Sequence, residues 1–346
     1  MILFGFGTRP EWLKIKPIIK KMDIEKLKYG LLFTGQHSDI IDNYLFSKRN
    51  ETNFCHFDIE NNKNRLDSIV ESIMNKLSDF KFHKYTHVLI QGDTTSAFAI
   101  ALSAFHHRKK IIHLEAGLRT YDRNNPYPEE TNRRMISVLT DYHLCPTNES
   151  AKNITLESYP DSVGTIIGNT ILDNLLPYKE KCEYKDIILV TMHRRENHHW
   201  MDKWFKVINE LAKKYKQYKF ILPLHPNPNV KKHKHILKNV NVIDSLSHNE
   251  LLDILVKTKL VITDSGGLQE ECSFLNKKCL ICRNTTERPE AVGLSTFLIE
   301  NPDYLIDEFE KHIEKFEIDF ECPFGKGDTS ERIIKILKKE IYEKSN

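Results

Sequence analysis

The chain has 346 residues, too long for one ordinary core and long enough for two domains of usual size. Hydrophobic residues make up 40% and charged residues 29%, which suits a globular enzyme and excludes a disordered or fibrous protein. The formal charge of +3 is small and no basic block is interleaved with aromatics, so nucleic acid is not the expected partner; nor does any window reach the roughly 18 apolar residues of a membrane helix.

Met1 to Gly7 has no basic region before its apolar run and reads as a buried strand rather than a signal peptide. Seven cysteines at irregular spacing fit a reducing compartment, the cytoplasm. From there, short apolar runs alternate with helix-period segments. Strands are expected near 1–6, 30–34, 87–91, 110–114, 141–145 and, more weakly, 164–167, with helices at 11–22, 38–47, 65–79, 95–106, 129–139 and 148–156. Further strands are expected near 186–191, 218–223, 240–243, 258–262, 278–282 and 296–299, with helices at 201–215, 248–256, 267–275 and 302–315. Runs such as His87 to Gln91 are apolar on both faces, the mark of parallel strands covered by helices on both sides. Two doubly wound α/β domains follow. The boundary is placed after Gly168-Asn169, in or near the polar segment Tyr178 to Tyr184, and a last helix from Asp328 to about Lys344 starts on an N-cap run, Asp328-Thr-Ser-Glu331. Cys279 and Cys282 form a CxxC, but on a strand residues three apart face opposite ways, so both read as core.

Open parallel sheets hold ligands at the carboxyl ends of their strands, and polar clusters recur there. Ser265-Gly266-Gly267 sits at a strand-to-helix turn, where glycines and a helix N-terminus favour an anion such as a diphosphate. Glu271 follows on the same helix, placed to accept hydrogen bonds from a sugar hydroxyl pair, and Arg288 lies one strand and one turn on. Arg9, in Gly7-Thr-Arg-Pro-Glu11, is positioned to meet an anion. Asp93 follows the strand at 87–91, where capping the next helix is the plainer role. Glu115 follows the strand at 110–114, and a Pro-punctuated loop delivers Glu129 and Glu130. His193 with Arg194, and His225, end two strands of the second half; the pairs His106-His107 and His198-His199 read as solvated. No nucleophile elbow, dinucleotide GxGxxG or tightly spaced metal site is present. The residues thus describe a nucleotide diphosphate held by the second domain and carboxylates in the first suited to acid/base chemistry on a sugar.

GTRPE at 7–11, GDTT at 92–95, EAGLRT at 115–120, PxPEExNR at 126–133, GNT at 168–170, HRREN at 193–197, HPNPNV at 225–230, DSGGLQEE at 264–271 and TTERPE at 285–290 run in order over the chain. In these the sequence resembles the non-hydrolysing UDP-N-acetylglucosamine 2-epimerases of bacteria and archaea. The resemblance implies a glycosyltransferase-B-like fold: a Rossmann-like domain at 1–168, a UDP-binding one at 169–325, the active site between them, and a helix at 326–346 crossing back to the first. It implies reversible inversion at C2 of UDP-N-acetylglucosamine through elimination of UDP and a bound 2-acetamidoglucal. No metal or other cofactor, a UDP-sugar ligand and a homodimer are likewise implied. By position Asp93, Glu115 and Glu129 match the family's acid/base residues, with His193 in the catalytic group. Arg9, His193, Ser265 and Gly266, with Gly267 beside them, match its diphosphate contacts, Glu271 its ribose contact and Arg288 the uridine site.

Many bacterial relatives bind a second UDP-N-acetylglucosamine as activator, and Gln36, His37, Glu129, Arg194 and His225 fall in that region. Asp39 stands where a glutamine is common, and Lys63-Asn64 replaces a usual Arg-Gln pair, so the activator site is expected to be weakened while catalysis is kept. The sugar pocket is not legible, which leaves other UDP-2-acetamido sugars open. A glycosyltransferase of the same fold and a binding protein without turnover are the readings from other classes.

Overall fold

A computed structural model of the chain describes residues 1–36, 42–49, 53–57, 59, 65–157, 163–318 and 320–342. It falls into two compact units, Met1–Asn174 with Gly327–Asn346, and Leu175–Lys326.

In the first unit the strands are β1 (Ile2–Phe6), β2 (Tyr29–Phe33), β3 (Phe54–His56), β4 (His87–Gln91), β5 (Lys110–Leu114), β6 (Tyr142–Cys145) and β7 (Val163–Ile166). They form a parallel sheet in the order β3-β2-β1-β4-β5-β6-β7. Its helices are α1 (Arg9–Ile24), α2 (Asn43–Lys48), α3 (Arg65–Ser78), α4 (Thr95–His106), α5 (Glu129–Leu139) and α6 (Asn148–Leu156). Every residue of β1 and β2 is buried, because α1 covers one face with Ile15, Ile18 and Met22 while α3 and α4 cover the other with Ile69, Ile73 and Ile100. The strands therefore carry apolar side chains on both sides.

The second unit repeats the plan. After α7 (Leu176–Lys179) come β8 (Ile187–Thr191), α8 (Met201–Lys214), β9 (Lys219–Pro223), α9 (Pro228–Lys231), β10 (Asn241–Ile243) and α10 (His248–Leu255). Then follow β11 (Leu260–Thr263), α11 (Gly266–Phe274), β12 (Lys278–Ile281), β13 (Thr296–Leu298) and α12 (Leu305–Ile313), in the sheet order β10-β9-β8-β11-β12-β13. Trp204, Phe205, Ile208 and Leu211 recur at helical spacing on α8 and, with Phe309 of α12, fill the core. In both sheets the strand order reverses at one point, between β1 and β4 and between β8 and β11. Loops at such switch points are where doubly wound folds bind ligands. The fold class expected from sequence, two Rossmann-like doubly wound units of glycosyltransferase-B type, is the one found.

The last helix, α13 (Thr329–Leu337), continues as a π-helical turn at Lys338–Tyr342 and packs Ile333, Ile334 and Leu337 into the first unit's core beside α1. Its start departs from the sequence reading: Asp328 makes no side-chain cap, and the Thr329 and Ser330 N–H groups donate instead to Asp173, at 3.0 and 2.6 Å. Residues 169–174 belong to the first unit rather than the second. Asn174 Nδ2 donates to the Leu13 carbonyl at 2.8 Å, and Leu172 is buried, which ties this segment to α1. Strand β3 has only three residues and was not foreseen; of the helix expected at 38–47, α2 is the described part. Cys279 and Cys282 are both buried free thiols. No helix among the described residues is long and apolar enough to cross a membrane.

Candidate functional site

The turn after β1 is shaped by Glu11, not by Arg9. Thr8 and Glu11 form a capping box at the start of α1, the buried Glu11 Oε2 accepting from the N–H groups of Gly7 at 2.9 Å and Thr8 at 2.6 Å. Its other oxygen accepts from Thr94 Oγ at 2.8 Å, tying this turn to the one after β4. Burial pushes the Glu11 carboxyl above its ordinary pKa, and these hydrogen bonds oppose the shift. A Cβ at Gly7 would lie 2.3 Å from Thr34 Oγ1 and 2.5 Å from Ser96 Oγ, so only glycine fits. Ser96 Oγ in turn donates to Gln36 Oε1 at 2.7 Å. Arg9, half-buried on the first turn, has no ion-pair partner among the described residues.

Asp93 does not cap α4. Thr94 does, its hydroxyl accepting from Ala97 N–H at 3.0 Å, which leaves the Asp93 carboxylate to Arg133 of α5. Arg133 Nε and Nη2 lie 2.9 and 2.7 Å from Asp93 Oδ2, and Asn132 Nδ2 donates to the Asp93 carbonyl at 2.9 Å. Glu115, with φ 66°, ends β5 beside it: Gly92 N–H donates to the Leu114 carbonyl, and a Cβ on Gly92 would stand 3.8 Å from Glu115 Oε2. Lys14 Nζ reaches both Glu115 oxygens at 2.5 Å, and Gln91 Nε2 donates to the same carboxylate. Beneath this turn the buried His113 Nε2 meets the Gly92 carbonyl at 2.7 Å.

The two acids of the Pro-punctuated loop part company. Glu130 is fully buried and spends its oxygens on the N–H groups of Thr120 and Tyr121 and on Arg133, at 3.0, 3.1 and 3.0 Å, so it holds the loop. Glu129, half-buried at the first position of α5, lies one turn before the Asn132 and Arg133 that grip Asp93. The first unit thus gathers Asp93 and Glu115 and hangs Glu129 from the same helix that fixes Asp93.

In the second unit the turns after β8 and β11 meet through Asp264. Fully buried, it accepts from the N–H groups of His193, at 3.0 Å to each oxygen, and of Arg194 at 2.9 Å, and from Asn197 Nδ2 at 3.2 Å. His193 stacks on His225, ring centroids 5.2 Å apart and planes at 19°, while His198 Nε2 lies 3.3 Å from the His193 carbonyl rather than in solvent. Burial pushes the His193 imidazole below its ordinary pKa, with Asp264 pulling it back up; burial also lowers His225.

Ser265 occupies the N-cap of α11 without a side-chain cap bond, so the first N–H groups of the helix remain available to an anion. A Cβ at Gly266 would lie 2.7 Å from Glu287 Oε1, 2.9 Å from Arg288 Nη1 and 3.3 Å from Arg194 Nη2, whereas one at Gly267 would have no neighbour within 4 Å. Two guanidinium groups therefore flank the helix start. Arg288 is itself held by Glu270, Nε to Oε1 at 2.6 Å, and by Glu287; Glu287 also meets Arg283 at 3.1 Å, which pairs with Glu196 at 2.7 Å. One turn along α11, Glu271 accepts from His248 Nε2 at 2.8 Å. His37, Asp39, Lys63 and Asn64 lie outside the described residues.

Each unit thus gathers polar side chains at the carboxyl ends of its strands, and comparison with known proteins bears on what they serve. The family model for UDP-N-acetylglucosamine 2-epimerase matches residues 20–338. The chain belongs to the UDP-N-acetylglucosamine 2-epimerase family. Enzymes of this name are isomerases. The epimerase of Neisseria meningitidis serogroup A is 36% identical over 98% of this chain and 99% of its own, and that of Campylobacter jejuni 36% identical over 98% and 97%. The crystal structure of the Neisseria meningitidis enzyme bound to UDP-GlcNAc superposes with a TM-score of 0.88 at 34% identity, covering 98% of this chain and 100% of that one. The Methanocaldococcus jannaschii epimerase in complex with UDP-GlcNAc and UDP gives 0.82 at 28%, covering 98% and 99%. MurG of Acinetobacter baumannii, at 9% identity and a TM-score of 0.58 over 98% of each chain, shares the fold alone.

Against the epimerase motifs, Lys14, Asn132, Arg133, His248, Asp264 and Arg283 are the side chains the sequence reading missed. Asn132 and Arg133 stood inside the quoted PxPEExNR pattern, and Asp264 opened DSGGLQEE. Lys14, one turn after Glu11, had only its place on the helix that leaves the site. His248 and Arg283 had no local signal.

Proposed function

We propose that this chain interconverts UDP-N-acetylglucosamine and UDP-N-acetylmannosamine by inverting C2, for a surface polysaccharide precursor. The C2 proton is weakly acidic, so its removal must be coupled to departure of a stabilised leaving group. A carboxylate takes the C2 proton, the C1–oxygen bond breaks with its electron pair going to UDP, and bound 2-acetamidoglucal remains. UDP adds back after a proton returns on the other face. Asp93, Glu115 and Glu129 divide the proton transfers, with Lys14 and Arg133 holding the Glu115 and Asp93 carboxyl groups in fixed places. Arg9, His193, Arg194, Ser265, Gly266 and Gly267 hold the diphosphate, Glu271 the ribose, and Arg288 builds the uridine wall.

The observation that carries this reading is the start of α11, where Ser265 makes no side-chain cap bond and Gly266 is flanked by the Arg194 guanidinium and by Arg288, itself paired with Glu287. It is suited to a diphosphate whose charge grows as it leaves. Incubation with UDP-N-acetylglucosamine in deuterated water, followed by NMR of the sugar, tests it. Deuterium at C2 in both epimers is expected. Free N-acetylmannosamine with accumulating UDP indicates hydrolysis instead, and no exchange without an acceptor sugar indicates transfer or mere binding.

The protein works in the cytoplasm as a homodimer. Phe105 near the end of α4, and Met135 and Val138 on the adjacent α5, are exposed apolar side chains of the kind a second copy would cover. Activator control is weak: starting from UDP-N-acetylmannosamine alone, the reverse reaction proceeds without a lag, and a lag abolished by traces of UDP-N-acetylglucosamine would show that activator control is intact.

A further inference from the structure

Asp264 joins two turns that separately carry anion-binding residues. It follows β11 directly, its own N–H donates to the Thr191 carbonyl at the end of β8, and Ser265 and α11 come next. Its carboxylate is fully buried, so its charge must be offset by donors, and the His193 and Arg194 amides and Asn197 Nδ2 supply them. Asn197 is fixed in turn by donating to the Cys282 carbonyl at 2.9 Å. His193 Nδ1 stands 3.4 Å from Asp264 Oδ1. Nδ1 thus faces the aspartate at ion-pair distance while the ring stacks on His225, two contacts that orient the imidazole.

We propose that Asp264 is a positioning residue: it holds the His193 and Arg194 backbone and orients the imidazole, so that a nucleotide diphosphate binds together with a proton taken up by His193. This rests on the sugar-nucleotide reading above. The proton comes from solvent; Nδ1–H is held by Asp264 and Nε2–H donates to a phosphate oxygen. Burial is the largest influence on His193 and disfavours the imidazolium, and the charged groups facing it within its unit act on top of that. Arg194, His198 and His225 disfavour the imidazolium, whereas Asp264 and Glu196 favour it, and the arriving diphosphate adds negative charge to their side. A carboxylate that merely capped the loop would leave the proton count of binding unchanged.

The test is calorimetry of UDP binding to the full chain at about pH 7.5, where the terminal phosphate (second pKa about 6) is already ionised, in two buffers of different ionisation enthalpy. Proton uptake approaching one per UDP is expected, and His193→Asn abolishes it. Asp264→Asn, checked for folding by thermal melting, loses most of the uptake and binds UDP about tenfold more weakly. Combined with His193→Asn, it changes the proton count no further. UDP binding by the unmodified chain without proton uptake, or a folded Asp264→Asn that keeps the uptake, overturns the inference; failure of the unmodified chain to bind UDP overturns the reading beneath it. Nitrogen NMR of the unmodified chain decides the matter should Asp264→Asn not fold: His193 Nδ1 must carry the proton with and without UDP, and a neutral ring protonated on Nε2 alone overturns the inference.

Discussion

Arg133 grips the Asp93 carboxylate through Nε and Nη2, at 2.9 and 2.7 Å from the same oxygen, from a helix forty residues away in sequence. Under the proposed function Asp93→Asn removes one of the proton-transfer groups but leaves Arg133 its contact to Glu130, so folding and UDP affinity are kept while turnover falls of order 100-fold or more. Arg133→Lys keeps the charge but loses the planar fork, and is expected to lower kcat with UDP affinity unchanged. Steady-state rates beside calorimetric UDP binding check both. Near-normal turnover in Asp93→Asn reduces that residue to scaffold.

Gly266 and Gly267 are adjacent in sequence and differ in what a side chain would meet. A methyl group at Gly266 runs into Glu287 and Arg288, so Gly266→Ala is expected to lower both the melting temperature and UDP affinity. At Gly267 no neighbouring atom stands within 4 Å, and alanine is the better helix former by up to about 1 kcal/mol. Gly267→Ala is therefore expected to melt no lower than the parent and yet to bind UDP more weakly, the methyl group occupying ligand space. Unchanged UDP affinity in Gly267→Ala would place the diphosphate elsewhere.

Glu271 serves two partners under the proposed function: His248, which it already meets at 2.8 Å, and a ribose hydroxyl pair. His248→Phe leaves the carboxylate to choose its own rotamer, whereas Glu271→Gln halves its acceptor capacity. Loss of a charge-assisted hydrogen bond is worth roughly 1.5–3 kcal/mol, so Glu271→Gln is expected to bind UDP at least tenfold more weakly, with His248→Phe falling between it and the parent. Arg288→Ala weakens UDP as well and also lowers stability, because it leaves the buried Glu270 and Glu287 without their shared cation. Comparing uridine with UDP in each variant locates these effects at the nucleoside end.

The loops bearing chemistry were legible because they end strands that are apolar on both faces, a pattern that announces parallel sheets and hence their carboxyl-end sites. What each side chain does there was less legible. Asp93 and Thr94 are both good helix caps, and sequence alone does not choose between them; the threonine takes the cap and frees the acid. Glu129 and Glu130 are equal as letters, yet only the fold turns Glu130 inward to hold the Thr120 and Tyr121 amides. Partners such as Lys14 for Glu115 or Arg283 for Glu196 join residues far apart in the chain, where periodicity carries no information. Strand β3 failed for another reason: three residues, Phe54 to His56, are too few for alternation to show.

Acid should weaken the first unit in a way traceable to two histidines. Burial pushes His113 down to about 3 and His143 to about 4, so both are neutral in the fold near neutral pH. In the unfolded chain they titrate near 6.5, so below that pH the unfolded state binds more protons and stability is lost as pH falls, until each folded value is reached. The cost is up to about 1.4 kcal/mol per pH unit for each group. Thermal melts between about pH 7 and about pH 5 should show the fall, and His143→Phe should flatten the slope. An unaltered slope in a folded His143→Phe would assign the acid sensitivity to other groups.

Asp173 reaches across more than 150 residues of sequence to cap α13, taking the N–H groups of Thr329 and Ser330 at 3.0 and 2.6 Å. Half-buried and close to Asp328, it carries a pKa above the usual carboxylate value, desolvation being the first cause and the Ser330 and Thr329 hydrogen bonds opposing it. The cap holds the helix whose Ile333, Ile334 and Leu337 complete the first unit's core, so losing it loosens more than one helical turn. Asp173→Ala is expected to cost about 1–2 kcal/mol, the usual worth of a helix cap, or about 2–4 °C per kcal/mol in a unit of this size. Asp173→Asn, which still offers one acceptor oxygen, should cost less. Asp328→Ala should cost little, because the Asp328 side chain makes no cap bond and its pair with Arg332 is exposed. Melting curves of the three variants decide it; a larger loss in Asp328→Ala than in Asp173→Ala would return the cap to Asp328, where the sequence first placed it.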